Sequence, residues 1–429
     1  MQNRALNIVF LAIIASVVAL LVFPILGNMP IVSDEAAMLK ASADHANLGF
    51  GAALRGECGH VSYGLYCYFA KFFLNMGVFS DAFAVRLPGA IITLMLSCFL
   101  YAFVRHFDLV WAAFLAALMF LACGWVLSFT FTTTPALLPT ALLILSLVAQ
   151  YQWLAHSTFL NYVFMLVTTT AMIAITTHSL LIFNAFIGII YIIMLLRHQR
   201  EARTMLWQYL LMIPLVGVAA HFAGFSPVGE LEEMQGMFSI DALAKRFVIN
   251  RENGFSTFVS FAVFSIFPLS IPLFVSLISV LRQPKSFIAL FHRQPLVTRY
   301  GIIIAAVALP SLFLAESATV MMLYASIFFN MLILSRYLMI QFNHFPEVWR
   351  ISGIASAAVV VTGIPLAYFV LRPNYDMWAI ALVVLVAIAL YHLWRNSRDI
   401  GTNHRYLYNL IWLYLIASAL FYGYMRPAL

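Results

Sequence analysis

Apolar stretches of about 20 residues recur about thirteen times along this chain, each long enough to cross the ~30 Å hydrocarbon layer of a bilayer as a helix. No water reaches a backbone N–H or C=O inside lipid, so such a segment must close its own hydrogen bonds, and a lone segment does that as a helix. The repeated stretch fixes the class: an all-α polytopic membrane protein forming a single transmembrane domain over residues 1–429. The spans are predicted at 6–26, 87–104, 109–130, 135–153, 159–177, 179–196, 206–224, 257–281, 301–315, 318–335, 351–371, 377–394 and 406–424. Charged residues supply 9% of the chain, where a soluble globular protein has about 25%. That leaves no soluble domain of ordinary size. The first span has a short basic start but no small-residue cleavage site, which predicts a retained helix rather than a signal peptide.

Orientation follows from the basic residues. With Arg4 on the cytoplasmic side, successive spans deliver Arg105, the group Arg197, Arg200 and Arg203, and the group Arg282, Lys285, Arg293 and Arg299 to that same side. Arg336, Arg350, Arg395, Arg398 and Arg405 follow them. The short outer turns carry only Arg372 and Arg426, as the positive-inside rule requires. The N-terminus is thus predicted cytoplasmic and the C-terminus periplasmic, in a bacterial inner (plasma) membrane. The formal net charge of +7 reports this asymmetry, and nucleic acid is not an expected partner.

Two long outer loops, 27–86 and 225–256, collect most of the acid. The first holds Asp34, Glu35, Asp44, Glu57 and Asp81 beside Lys40, Arg55, Lys71 and Arg86. Its stretches Ala36 to Leu48 and Tyr63 to Met76 read as amphipathic helices lying along the membrane surface. The second loop holds Glu230, Glu232, Glu233, Asp241 and Glu252 beside Lys245, Arg246 and Arg251. A mixed acidic and basic cavity on the outer side is expected. Such a cavity suits a lipid-linked anionic donor: cations at headgroup depth hold a polyprenyl phosphate, and a carboxylate takes the proton of an attacking hydroxyl. Asp34 or Glu35 is the candidate base. Arg55, Arg86, Lys245, Arg246 and Arg251 are the candidate phosphate partners, each with headgroup anchoring as the plainer role. Tyr63, Tyr66 and Tyr68 are candidates to stack on a sugar, with an interfacial aromatic belt as the simpler reading. Cys58, Cys67, Cys98 and Cys123 form neither a disulfide framework nor a metal spacing. Asp34, Glu35, His45 and His60 share a loop without a fixed ligand spacing, so no metal or other cofactor is expected.

An acidic pair after the first span, Arg86-Leu87-Pro88 at the start of the second, short outer hairpins and Phe267-Pro268-Leu269 in the eighth together resemble the GT-C glycosyltransferases. The aminoarabinose transferases and protein O-mannosyltransferases are the most similar branch. The resemblance implies transfer of a sugar from a polyprenyl phosphate to a lipid, glycan or protein hydroxyl on the outer face, with Asp34 as the catalytic carboxylate and Glu35 beside it. The chain departs from that pattern at several places. Val61-Ser62-Tyr63-Gly64 stands where relatives carry a Lys-Pro element, Thr132-Thr133-Thr134-Pro135 where many carry an acid, and Thr177-His178-Ser179 where a Lys-Gly-Pro is common. His178 is the residue left to supply a conditional positive charge there. Two alternatives stand beside the enzyme: a catalytically inactive scaffold or lipid-binding subunit, and, third, a transporter or flippase. The near absence of charge within the spans argues against the last.

Overall fold

The computed structural model describes residues 2–28, 36, 39–40, 61–107, 110–131, 137–175, 178–196, 202–222, 296–311 and 316–344. Among these residues every regular element is helical. The first span runs as α1 (Gln2–Val17), a π-turn (Val18–Val22) and α2 (Phe23–Asn28). It is followed by α3 (Val61–Asn75), α4 (Asp81–Phe107), α5 (Val110–Ala122), α6 (Gly124–Phe131), α7 (Leu137–Ala155), α8 (Phe159–Ile175), α9 (His178–Leu196) and α10 (Ala202–Phe222). Then come α11 (Leu296–Ser311) and α12 (Glu316–His344). Two of the described helices, α4 and α7, are long and apolar enough to cross a membrane, and shorter apolar helices accompany them. The predicted spans at 257–281 and beyond 350, and the loop 225–256, lie outside the described residues.

The helices are apolar on more than one side, which is how a chain solvated by lipid differs from an amphipathic soluble bundle. In α4, Leu96 and Leu100 are buried while Met95, in the middle of the same helix, is 65% exposed. The same pairing recurs in α9, where Ile187 is buried and Phe186 is exposed. Such exposed faces fit membrane insertion. At the centre stands α5, buried at every residue except Trp111. Its alanines, Ala112, Ala113, Ala116, Ala117 and Ala122, give the helix a thin profile, so α4 and α12 approach it closely. Phe120 meets Tyr324 and Phe328 of α12 edge-on, with centroids 5.7 and 5.9 Å apart.

A buried polar hub ties α7 through α11 together. Gln150 on α7 donates to both the backbone oxygen and Oδ1 of Asn184 on α9, at 3.1 and 2.7 Å, and to the Tyr209 hydroxyl on α10. Its Oε1 accepts from Tyr300 on α11. Asn184 Nδ2 in turn donates to Ser146, whose hydroxyl lies 2.9 Å from that of Thr169 on α8. Each such interhelical bond contributes on the order of 0.6 kcal/mol in a membrane protein. Their convergence on one amide fixes helix register more than it adds stability.

Where sequence and structure differ, local chemistry accounts for it. The span predicted at 87–104 begins at Asp81, because Arg86 finds a buried partner and does not need water. The span predicted at 109–130 is interrupted at Cys123, whose amide bonds back to Phe120 O at 3.2 Å in a tighter turn just before Gly124. A helix, α3, covers the stretch predicted to be helical over Tyr63 to Met76. Of the stretch Ala36 to Leu48, only Ala36, Leu39 and Lys40 are described, all three helical.

Candidate functional site

The site begins with the way the first span ends. Pro24 has no N–H to give, so a regular helix would lose a bond there. The chain meets this by widening one turn earlier: the amide of Phe23 bonds to Val18 O in an i to i−5 π-turn. The last carbonyls of α2 then lack intrahelical donors. Arg86 supplies one, its Nη1 donating to Leu26 O at 2.7 Å. A guanidinium at a helix C-terminus also sits at the negative end of the macrodipole. This pairing is how a cation at 1% exposure is accommodated within apolar surroundings, and Arg86 has further interactions besides it.

The remainder of Arg86-Leu87-Pro88 shapes the same corner. Pro88 lies in the second turn of α4 and cannot donate to Ala84 O. Gly89 then keeps space for a neighbour, since a β-carbon there would stand 3.2 Å from the Tyr66 hydroxyl of α3. Tyr66, Cys67 and Val85 form a small cluster of their own, on which Leu39 and Leu74 pack. Further along the same face, Thr93 lies 2.8 Å from Thr130 of α6. Thr130 spends its only hydroxyl proton on Val126 O, so Thr93 is the donor of the pair.

Of the sequence-predicted catalytic and phosphate-binding residues, Arg86 is the one whose side-chain surroundings are described. The backbone of His178 opens α9, and its side chain lies outside the described residues. Asp34, Glu35, Arg55, Lys245, Arg246 and Arg251 lie outside them as well. The described flanks of the acidic pair are nonetheless informative. Leu26 reaches Arg86 by hydrogen bond, and Leu39 packs on the cluster that contains Val85, the residue before Arg86. Both sides of Ser33-Asp34-Glu35 therefore return to one place. Tyr66, a candidate sugar platform by sequence, is buried at 1% exposure and belongs to that packing. The Leu26 carbonyl, Gly89 and Leu39 were not singled out from sequence. Pro24 near the end of an apolar run was the available sign that a helix terminus there would need a donor. Among the described residues no group of three His, Cys, Asp or Glu is placed to hold a metal.

Apolar helices around a buried central helix, with an arginine seated on the end of the first span, make an all-helical architecture that fits membrane insertion. Over 98% of this chain and 78% of the other, the structure superimposes on ArnT from Cupriavidus metallidurans bound to undecaprenyl phosphate, with a TM-score of 0.62 and 14% identity. The apo form of the same protein gives a TM-score of 0.61 at 13% identity, covering 99% of this chain and 78% of that one. No known protein family and no curated protein sequence matches the chain.

Proposed function

We propose that the protein is a membrane glycosyltransferase that moves a sugar from a polyprenyl-phosphate donor to a hydroxyl of a lipid, glycan or protein on the outer face of a bacterial inner membrane. The observation that carries this reading is that Leu26, ahead of Asp34 and Glu35, bonds to Arg86, while Leu39, after them, packs on the cluster that contains Val85. Asp34 lies five residues before Leu39, so its α-carbon is within roughly 18 Å of that residue even in a fully extended chain. A carboxylate on a tether of that length and a buried guanidinium are parts that transfer from a phosphate-linked sugar needs. The likeness to a structure that binds undecaprenyl phosphate supports the donor class.

In the proposed reaction the acceptor O–H gives its proton to Asp34 while its oxygen bonds to the anomeric carbon. The bond from that carbon to the phosphate oxygen breaks, and the polyprenyl phosphate leaves with the electron pair. Arg55, Lys245, Arg246, Arg251 and His178 are the proposed partners of the phosphate, and Glu35 orients the acceptor. Arg86, bonded to a backbone carbonyl, fixes the mouth of the site as well as adding to its positive field. The second reading is a scaffold that binds the same lipid without turning it over, and the absent Lys-Pro and Lys-Gly-Pro elements favour it. Native mass spectrometry of the purified chain should find a bound polyprenyl phosphate under both readings. Transfer from a polyprenyl-phosphate sugar in vesicles, lost in Asp34→Asn, selects the enzyme. Lipid binding without transfer selects the scaffold, and an absence of both sinks the donor class.

A further inference from the structure

The connection between α3 and α4 is apolar at its tip. Gly77 adopts φ of 65°, a left-handed conformation that lets the chain reverse there. Around it Met76, Val78 and Phe79 are 51%, 75% and 38% exposed, and Phe72 on the adjoining turn of α3 is 57% exposed. No charged residue occurs between Lys71 and Asp81. A water-facing reversal would ordinarily be built from polar residues, so this surface calls for an apolar neighbour.

Its depth identifies that neighbour. At 1.5 Å per residue, α4 is about 40 Å long, roughly 10 Å more than the hydrocarbon layer. Arg105 and His106 mark its other end. Counting about 20 residues back from Arg105 brings the hydrocarbon boundary to the vicinity of Arg86. The tip, residues 76–79, then lies seven to ten residues farther out, beyond the hydrocarbon boundary in the interfacial layer where amphipathic segments bury apolar side chains about 5–10 Å deep.

The tip is also mechanically joined to the site. Phe79 stacks on Phe83, with centroids 4.9 Å apart and planes at 22°, and Phe83 meets Phe23 of α2 edge-on at 5.9 Å. Three residues beyond Phe23 is Leu26, the carbonyl that Arg86 holds. We propose that Met76, Val78, Phe79 and Phe72 form a lipid-inserted foot, which sits in the interfacial layer on the Arg86 side and inserts its side chains toward the acyl chains, and that the Phe79-Phe83-Phe23 ladder holds the end of the first span at that depth. The foot is independent of whether the chain transfers sugar.

The test uses the full-length protein carrying Val78→Cys or, separately, Phe72→Cys, spin-labelled and reconstituted in phosphatidylcholine and phosphatidylglycerol vesicles. The wild-type chain, treated identically, corrects for native cysteines. Power saturation compares collision with oxygen, which partitions into acyl chains, against a water-soluble nickel chelate. At both positions oxygen should win by several-fold. A label struck mainly by nickel would show a water-exposed turn, and one reached by neither reagent would show a protein covering the patch; either result overturns the foot.

Discussion

A β-carbon at Gly188 would stand 2.4 Å from the Tyr209 ring and hydroxyl and 2.6 Å from Gln150 Nε2. The polar hub therefore exists only because α9 has no side chain at that point. Gly188→Ala should cost roughly 1–3 kcal/mol through overpacking, since Tyr209 and Gln150 are both fully buried. Gln150→Leu should be milder, because Tyr300 keeps Leu147 O at 3.0 Å and Tyr209 keeps Asn184 O at 3.2 Å. Thermal unfolding in detergent, with Gly188→Ala melting below Gln150→Leu, checks the order. Arg86 admits a similar contrast. Arg86→Ala strips a buried carbonyl of its donor, a loss of about 1–3 kcal/mol, while Arg86→Lys retains a cation able to reach Leu26 O. The lysine variant should recover at least half of the lost melting temperature. At the carboxylates the expectation is chemical: Asp34→Asn abolishes transfer and leaves the melting temperature within error, and Glu35→Gln slows transfer less. An active Asp34→Asn enzyme would pass the role of base to Glu35 or Glu57.

Elements were more legible than their irregularities. The apolar runs gave α7, α8 and α9 to within a few residues, because lipid imposes a minimum length and nearby polar residues mark the ends. The amphipathic pattern of the first loop gave α3. What escaped was whatever leaves hydropathy unchanged: the π-turn at Val18–Val22, the interruption at Cys123, and the six residues by which α4 extends beyond Leu87 toward Asp81. Asp81 and Arg86 read as loop because a charge near a span normally seeks water. The structure satisfies Arg86 with a helix end, a partner that exists only once the first two spans meet. The π-turn makes its own prediction. Pro24→Ala restores a backbone donor and permits a regular helix, which would rotate Leu26 O away from Arg86. Transfer should fall severalfold while thermal stability holds or rises, and a joint fall in both would assign Pro24 a merely structural part.

At the scale of the whole molecule, the layout of spans and loops was enough to suggest a GT-C-like fold, although only 14% of residues match the solved protein it superimposes on. Lipid explains the disparity: many apolar side chains satisfy a given helix face, so sequence drifts while helix order and loop placement persist. Arg86-Leu87-Pro88 stood out in the sequence because charge beside an apolar run is conspicuous, and the Asp34-Glu35 pair stood out for the same reason but lies outside the described residues. The seating of Arg86 on the Leu26 carbonyl was not legible, being a product of tertiary packing. Orientation is directly measurable. Single cysteines placed at Ser33 and Gln199 should react with an impermeant thiol reagent from opposite sides of intact vesicles, and labelling from one side would undo both the orientation and the outer placement of the site.

The buried helix α5 also sets a schedule for synthesis. Its partner residues Tyr324 and Phe328 lie about 200 residues downstream of Phe120, a stretch that a ribosome needs on the order of 10–40 s to make. For that interval the segment that ends up shielded from the bilayer has lipid or the insertion machinery where α12 will stand. A chain halted before residue 316 should therefore present α5 as an unfilled seam, open to quality-control proteases that recognise incomplete bundles.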